Sequence, residues 1–335
     1  PVPDEEIHDV QTAEWARAFL GDPPKDAPFF LSVGISKPHQ RWDVPKEYYD
    51  LYDRENIDLP QVPGVTFDDL PAHFRNILQD QPDTHDLILS GGPDLWGDAI
   101  QGYLAAVSFA DAQIGKVLDA LTENGLWETT TVLLWSDHGY HLGDRDVWKK
   151  FTLYEEAASV PLVVVDPEIG APGSRVSTPA STLDIWPTLS GLTGMPVPAK
   201  PDGFDLAPLM ENPDAELPWD GVITVVYGSI SLRTEKTRYT LYPSGEEEMF
   251  RVGKGKVFGQ DVSDRPDLED RLERMRDLMH EEAEALGIRI VETGDSDRGT
   301  NCLLYTSPSP RDQREHLVCR LLLEKRGGGG GGGGG

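Results

Sequence analysis

The chain is 335 residues long, enough for one large or two modest domains with ample core, and it carries 58 Asp and Glu against 30 Lys and Arg, a formal net charge of −28. A surface of that sign repels nucleic acid and anionic membrane, so both are discounted as partners, and an anionic ligand has to be held by local cations or a metal. No stretch reaches the roughly 18 consecutive apolar residues of a membrane span, and both cysteines, Cys302 and Cys319, fall in the last stretch, leaving the body without a disulfide framework.

In chain order, residues 9 to 20 place apolar positions at helical spacing until Pro23-Pro24, which predicts a helix. Pro28 to Ile35 (PFFLSVGI) predicts a buried strand whose exit carries Ser36-Lys37-Pro38-His39. From Gln40 to Pro93 prolines break every pattern, which predicts a long irregular insertion with short helical turns, a place where pocket-lining residues are common. Asp98 to Asn124 is the strongest predicted helix, with Ile100, Leu104, Val107, Ile114, Leu118 and Leu121 on one face and Asn124-Gly125 as its stop.

That helix feeds the stretch around which the rest is organised. Thr131 to Trp135 is apolar and β-branched, predicting a buried strand, and it ends abruptly in Ser136-Asp137-His138-Gly139. A run apolar on both faces suits a parallel strand covered by helices on both sides, and in open α/β sheets ligands bind beyond the carboxyl ends of such strands. Asp137 offers a hard carboxylate oxygen and His138 an imidazole nitrogen, a pair able to share a divalent cation, while Gly139 permits a sharp turn. Taken alone, the same residues read equally well as an ordinary Asp-Gly turn.

Further on, Phe151 to Ser159 predicts a short helix, Val160 to Val165 another buried strand, Ser181 to Leu192 a helix with Pro187 in its first turn or at a kink, and Gly203 to Met210 a loop. Val222 to Tyr242 alternates in β-rich segments suited to an antiparallel sheet, Glu246-Glu247-Glu248 reads as a solvated turn, and Pro266 to Leu286 as a charged helix. The expected fold class is therefore α/β, a mostly parallel sheet sandwiched by helices, with a smaller antiparallel C-terminal subdomain: residues 1–215, then 216–300. Residues 301–335 reverse the acidic balance and end in nine glycines, so they are set aside as a non-native-looking, disordered tail.

Several of these motifs occur together and in order: Pro28-Phe29-Phe30-Leu31-Ser32-Val33-Gly34 with Lys37-Pro38-His39, the Gly102-Tyr103-x-Ala105-x-Val107-Ser108 helix, Ser136-Asp137-His138-Gly139, Trp148-Lys149-Lys150-Phe151-Thr152-Leu153, Leu183-Asp184-Ile185-Trp186-Pro187-Thr188-Leu189, and Asp202-Gly203-Phe204-Asp205-Leu206. Together they resemble the iduronate-2-sulfatase-like branch of the sulfatases, within the alkaline phosphatase superfamily. The resemblance implies an alkaline phosphatase-like fold in which residues 1–215 are an incomplete catalytic domain. It also implies that Asp137 and His138 ligate a divalent metal, usually Ca2+, that His39 hydrogen-bonds the sulfate or leaving oxygen, and that Lys150 contacts sulfate, with Lys149 the alternative one residue away.

Sulfatases of this type attack sulfur with a formylglycine that a maturation enzyme makes from the Cys of a Cys-x-Pro-Ser-Arg motif. No such motif is present, nor the Asp-Asp metal pair and Lys-x-x-His segment of the pattern, and Arg145 stands where many relatives have His. The expectation is a C-terminal portion of a longer sulfuric ester hydrolase acting on a sulfated carbohydrate, inactive by itself and, by resemblance, exported or lysosomal. Two other readings compete: a phosphodiesterase or phosphonate hydrolase of the same superfamily, and a non-catalytic domain that binds sulfated glycans.

Overall fold

The computed structural model describes residues 6–60, 64–196, 201–252 and 260–290. The tail from Cys302 onward, with its cysteines and glycines, lies outside them. Helix α1 (His8–Gly21) leads into the insertion, which holds α2 (Lys46–Tyr49), α3 (Ala72–Ile77) and α4 (Gln81–Ser90) among short 3-10 turns, and then into the long α5 (Pro93–Glu123). Strand β1 (Val132–Trp135) follows, then the small hairpin β2 (His141–Leu142) and β3 (Trp148–Lys149), α6 (Glu155–Ala158), β4 (Leu162–Val165), α7 (Ile185–Thr193) and α8 (Ala207–Glu211). The chain closes with β5 (Val222–Val226), β6 (Ser229–Arg233), β7 (Thr237–Leu241), β8 (Glu247–Arg251) and α9 (Glu269–Ala285).

Helix α1 lies against α5 through small residues. Ala13 and Ala16 of α1 and Ala105 and Ala106 of α5 are fully buried, letting the two backbones approach, with Leu20 and Phe109 filling the ends of the contact. Each fully buried Leu or Phe contributes about 1.5–3 kcal/mol from leaving water. The stripe on α5 is thus shifted from the expected one: Ile100 and Leu121 are buried, but Val107 is exposed because the alanines carry that part of the contact.

The strand pairing differs from the sequence expectation. Val132–Trp135 does not pair in parallel with a described strand; it pairs antiparallel with β4, Val132 opposite Val165 and Trp135 opposite Leu162. The connecting residues hold a hairpin and one helical turn rather than a full crossover, so the chain returns along the edge it left. One face packs on α1 and α5, where Phe29, Leu31 and Val132 meet Leu20, Ala120 and Leu121. Trp135 on the other face is exposed, as are Val163 and Val165 at the far side of the pair. Residues 28–35, expected as a buried strand, join no ladder and none of them is buried, Phe30 standing exposed, the short helix expected from Phe151 is confined to Glu155–Ala158, and the loop expected at 203–210 contains α8. Pro187 does sit in the first turn of α7.

The C-terminal antiparallel sheet is a four-stranded meander, β5-β6-β7-β8, with α9 packed across it around Ile230, Leu232, Tyr239, Met249, Met275 and Met279. Its last strand corrects the reading of Glu246 to Glu248 as a solvated turn: Glu247 and Glu248 open β8, and Glu248 is buried. The sheet grips the segment leading into α6 at two adjacent residues. Tyr154 donates its hydroxyl to Glu248, while Glu155 accepts from Arg233 at 2.8 Å and from Arg238 at 2.6 Å.

Candidate active site

The loop after β1 is fixed by close backbone packing. Gly139 donates its N–H to the carbonyl of Ala157 at 2.8 Å, and a Cβ at this position would lie 2.0 Å from the carbonyl oxygen of Glu156. Glycine is required here by that approach of two backbones rather than by the sharp turn expected of it.

Three of the sequence-predicted residues converge. The Nδ1 of His138 donates to the carbonyl of Gly139 at 2.8 Å, and the Nδ1 of His39 donates to the carbonyl of Gln40 at 2.8 Å. A carbonyl only accepts, so each Nδ1 carries a proton, and in the neutral ring Nε2 is then the bare nitrogen. The two rings stand 6.5 Å apart, and the ammonium of Lys150 donates to His138 Nε2 at 2.6 Å. The backbone takes positive φ on both sides of Lys150, 72° at Lys149 and 83° at Phe151. Non-glycine residues in that region cost on the order of 1–3 kcal/mol and cluster where a loop is held for function.

Asp137 is exposed. Its Oδ1 accepts the backbone N–H of His138 at 3.0 Å, and its Oδ2 lies 3.5 Å from His138 Nε2. Metal bonds of roughly 2.0–2.5 Å place neighbouring ligand atoms about 3 Å apart. Asp137 Oδ2 and His138 Nε2 therefore fit as two ligands of one cation, and the Lys150 ammonium now lies on that nitrogen. A complete shell of four or more oxygen and nitrogen atoms needs donors beyond this pair.

A second cluster of potential ligands proves to be something else. His141, Asp144 and Glu156 are buried with donor atoms within 4.8 Å of one another. Most of these atoms are paired: His141 Nδ1 meets Asp144 at 2.6 Å and its Nε2 meets Thr152 at 2.7 Å, while Arg145 Nη1 lies 2.6 Å from Glu156 Oε1 and 3.5 Å from Asp144, and of them Glu156 Oε2 alone is left without a hydrogen bond. The guanidinium already supplies the cation, and its plane sits 4.4 Å over the Tyr154 ring. Burial works to raise the Asp144 carboxyl, but His141, the Leu142 N–H and Arg145 outweigh it and hold it below the usual carboxylate range. Glu156, under the same burial, stays above that range despite Arg145. This network braces the β2–β3 hairpin that delivers Lys150, with His141 packed inside the loop.

Sequence reasoning missed Asp9. Fully buried on α1, it accepts the Ser36 backbone N–H at 3.0 Å, the Ser36 hydroxyl at 2.8 Å and the Lys37 N–H at 2.9 Å, and so fixes the turn that presents His39. The signal was present: Asp9, Ala13, Ala16 and Leu20 share the buried stripe of α1, and a carboxylate in an apolar register asks for partners. Trp42, noted in the insertion, adds an indole donor to the Pro38 carbonyl at 2.8 Å.

The sulfatase family profile matches residues 2–195. A sulfatase of Formosa agariphila is 32% identical over 252 residues, covering 75% of this chain and 49% of that protein. Iduronate 2-sulfatase of Mus musculus is 33% identical over 232 residues, 59% of this chain and 42% of that protein. The chain thus spans about half the length of the curated relatives it matches. Among solved structures, a protein in complex with its substrate D-glucosamine-2-N,6-O-disulfate superposes with a TM-score of 0.67 at 18% identity, over 83% of this chain and 69% of that one. Phosphonate monoester hydrolase of Silicibacter pomeroyi superposes with a TM-score of 0.70 at 22% identity, over 87% and 62%. The fold is the alkaline phosphatase-like α/β fold of these neighbours, and the profile match, the relatives and the motif order agree that the chain belongs to the sulfatase family.

Proposed function

We propose that this chain provides the sulfate-holding part of a sulfuric ester hydrolase whose substrate is a sulfated sugar. The observation that carries the reading is the meeting of Lys150, His138 and His39 at one place, each histidine with its Nε2 bare. A sulfate ester is a tetrahedral anion whose oxygens gain charge as the ester bond breaks. Lys150 donates to one of those oxygens. His39, once protonated, hydrogen-bonds the sulfate or the leaving oxygen and gives it a proton. A divalent cation, calcium by family resemblance, would be held in part by Asp137 and His138 and would supply Lewis-acid stabilisation of the same charge.

The sequence has no Cys-x-Pro-Ser-Arg motif, so the formylglycine nucleophile is assigned to residues outside this chain and the chain alone is assigned no turnover. The sugar substrate is supported by the relatives named above. In a phosphoryl-transfer member a richer two-metal set is expected, and among the described residues the other candidate cluster has its two carboxylates facing Arg145.

The test is a calorimetric titration of the 335-residue chain with inorganic sulfate and with Ca2+. Sulfate is expected to bind and Lys150→Ala to weaken it by about 10-fold or more, the scale of one lost charge-assisted hydrogen bond. His138→Ala is expected to weaken Ca2+. Sulfate affinity indifferent to Lys150 would sink the proposal, and turnover of a sulfate ester by the chain alone would overturn the assignment of the nucleophile.

A further inference from the structure

Two aromatic residues beside Lys150 are placed against the preferences of their own backbone. Phe151 adopts φ 83° and is 43% exposed, and Tyr227 adopts φ 47° and is 54% exposed. Tyr227 and Gly228, φ 85°, form the two-residue turn between β5 and β6. Positive φ at both central positions is the type I′ arrangement, which favours Asn, Asp or Gly at the first of them and disfavours an aromatic ring. The two rings come from distant parts of the chain and meet, with centroids 6.0 Å apart and planes inclined at 51°. The turn is held in position by His73, whose Nε2 donates to the Tyr227 carbonyl at 2.8 Å. The ammonium of Lys150 lies 5.9 Å from the Phe151 centroid, so the pair borders the charge cluster directly.

Folding gains little from two large rings left in water, and strained non-glycine backbone gathers at ligand sites. We propose that Phe151 and Tyr227 form the subsite for the leaving group, receiving the C–H face of a pyranose ring whose sulfate is held at Lys150, a proposal that rests on the sulfate-holding role of Lys150. The C–H face of a sugar is apolar and slightly electropositive and complements the negative face of an aromatic ring. The neighbouring ammonium decides against a cationic leaving group: a quaternary ammonium seated on Phe151 would be repelled by Lys150 at about the same distance from the ring. The catalytic loop and the C-terminal sheet contribute one ring each, so this subsite joins the two parts of the structure.

The test is an NMR titration of the 335-residue chain with inorganic sulfate, D-glucose 6-sulfate and choline sulfate. Glucose 6-sulfate is expected to bind about 10-fold more tightly than inorganic sulfate, the return from ring stacking. Choline sulfate is expected to show no such advantage. Phe151→Ala and Tyr227→Ala should each cut the sugar advantage severalfold, whereas Phe151→Tyr should keep it, separating loss of a stacking surface from a disturbed loop. If inorganic sulfate binds but the sugar gains nothing, or if the alanine variants keep the gain, the aromatic subsite is refuted while the sulfate-holding role stands. An advantage for choline sulfate equal to that of the sugar refutes it as well. If inorganic sulfate itself does not bind, the proposed function fails and the subsite with it.

Discussion

The carboxyl of Glu248 offers a direct test of how the C-terminal sheet is attached. It is buried where β8 meets the segment leading into α6, accepting from the Tyr154 hydroxyl at 3.0 and 3.1 Å and from Tyr242. Burial pushes it up to about 7 from an ordinary 4.5, against the pull of the two tyrosines. A carboxyl raised on folding favours the folded state most below about pH 4.5, and that contribution is lost as the pH climbs through 7, because the folded protein holds a proton the unfolded chain has released. A shift of about 2.5 units (7 − 4.5) corresponds to about 3 kcal/mol in full, of which about 2 kcal/mol falls between pH 5.5 and pH 8.5. Glu248→Gln keeps the shape and removes the ionisation. Urea unfolding of wild type and variant at those two pH values should show the variant gaining about 2 kcal/mol on wild type at the higher pH. A difference that does not change with pH would show that this carboxyl ionises as freely in the fold as outside it, and the argument from burial would fail.

Other consequences follow from the same packing. Asp9→Ala removes the acceptor for three donors at the Ser36-Lys37 turn and is expected to cost about 2–4 kcal/mol in urea unfolding, with the His39 ring resonances shifted in NMR spectra. Arg145→Met leaves Glu156 and Asp144 buried without their cation and should cost about 3–5 kcal/mol, whereas the double variant Arg145→Met, Glu156→Met should recover a good part of it. Gly139→Ala has no room for its Cβ against the Glu156 carbonyl and should lower the melting temperature sharply or abolish soluble expression; a variant as stable as wild type would contradict the close approach described.

Much of the architecture was legible because it depends on periodicity. The 3.6-residue stripe placed α5, the charge pattern placed α9, the alternation at Val222 to Tyr242 placed β5 to β7, and Asn124-Gly125 marked where α5 stops. The motif Ser136-Asp137-His138-Gly139 and the exit at His39 were visible as polar residues ending apolar runs, Lys150 was singled out only by the family resemblance, and the fold brings His39, His138 and Lys150 together. What sequence did not disclose was pairing. An apolar run such as Val132 to Trp135 reads the same whether its neighbour is parallel or antiparallel, and only the path of residues 136–161 decides it. Glu248 looked solvated because three successive glutamates suggest water, yet strand alternation turns one of them inward to meet two tyrosine hydroxyls. Arg145 and Glu156 pair across an interval that carries no local pattern, so nothing short of the folded loop relates them.

The way His39 and His138 are oriented also bears on mutability. Each ring is tied to the carbonyl of the residue that follows it, a group every amino acid possesses. The choice of which nitrogen stays bare is therefore stored in the main chain and not in any partner side chain. Position 40 can exchange its side chain without altering the proton on His39, and the same holds in principle after His138, where steric room alone restricts the residue to glycine. Damage to the presentation of these two nitrogens is consequently expected from changes that bend the loops, such as those at Asp9 or Arg145, rather than from substitutions beside the histidines themselves.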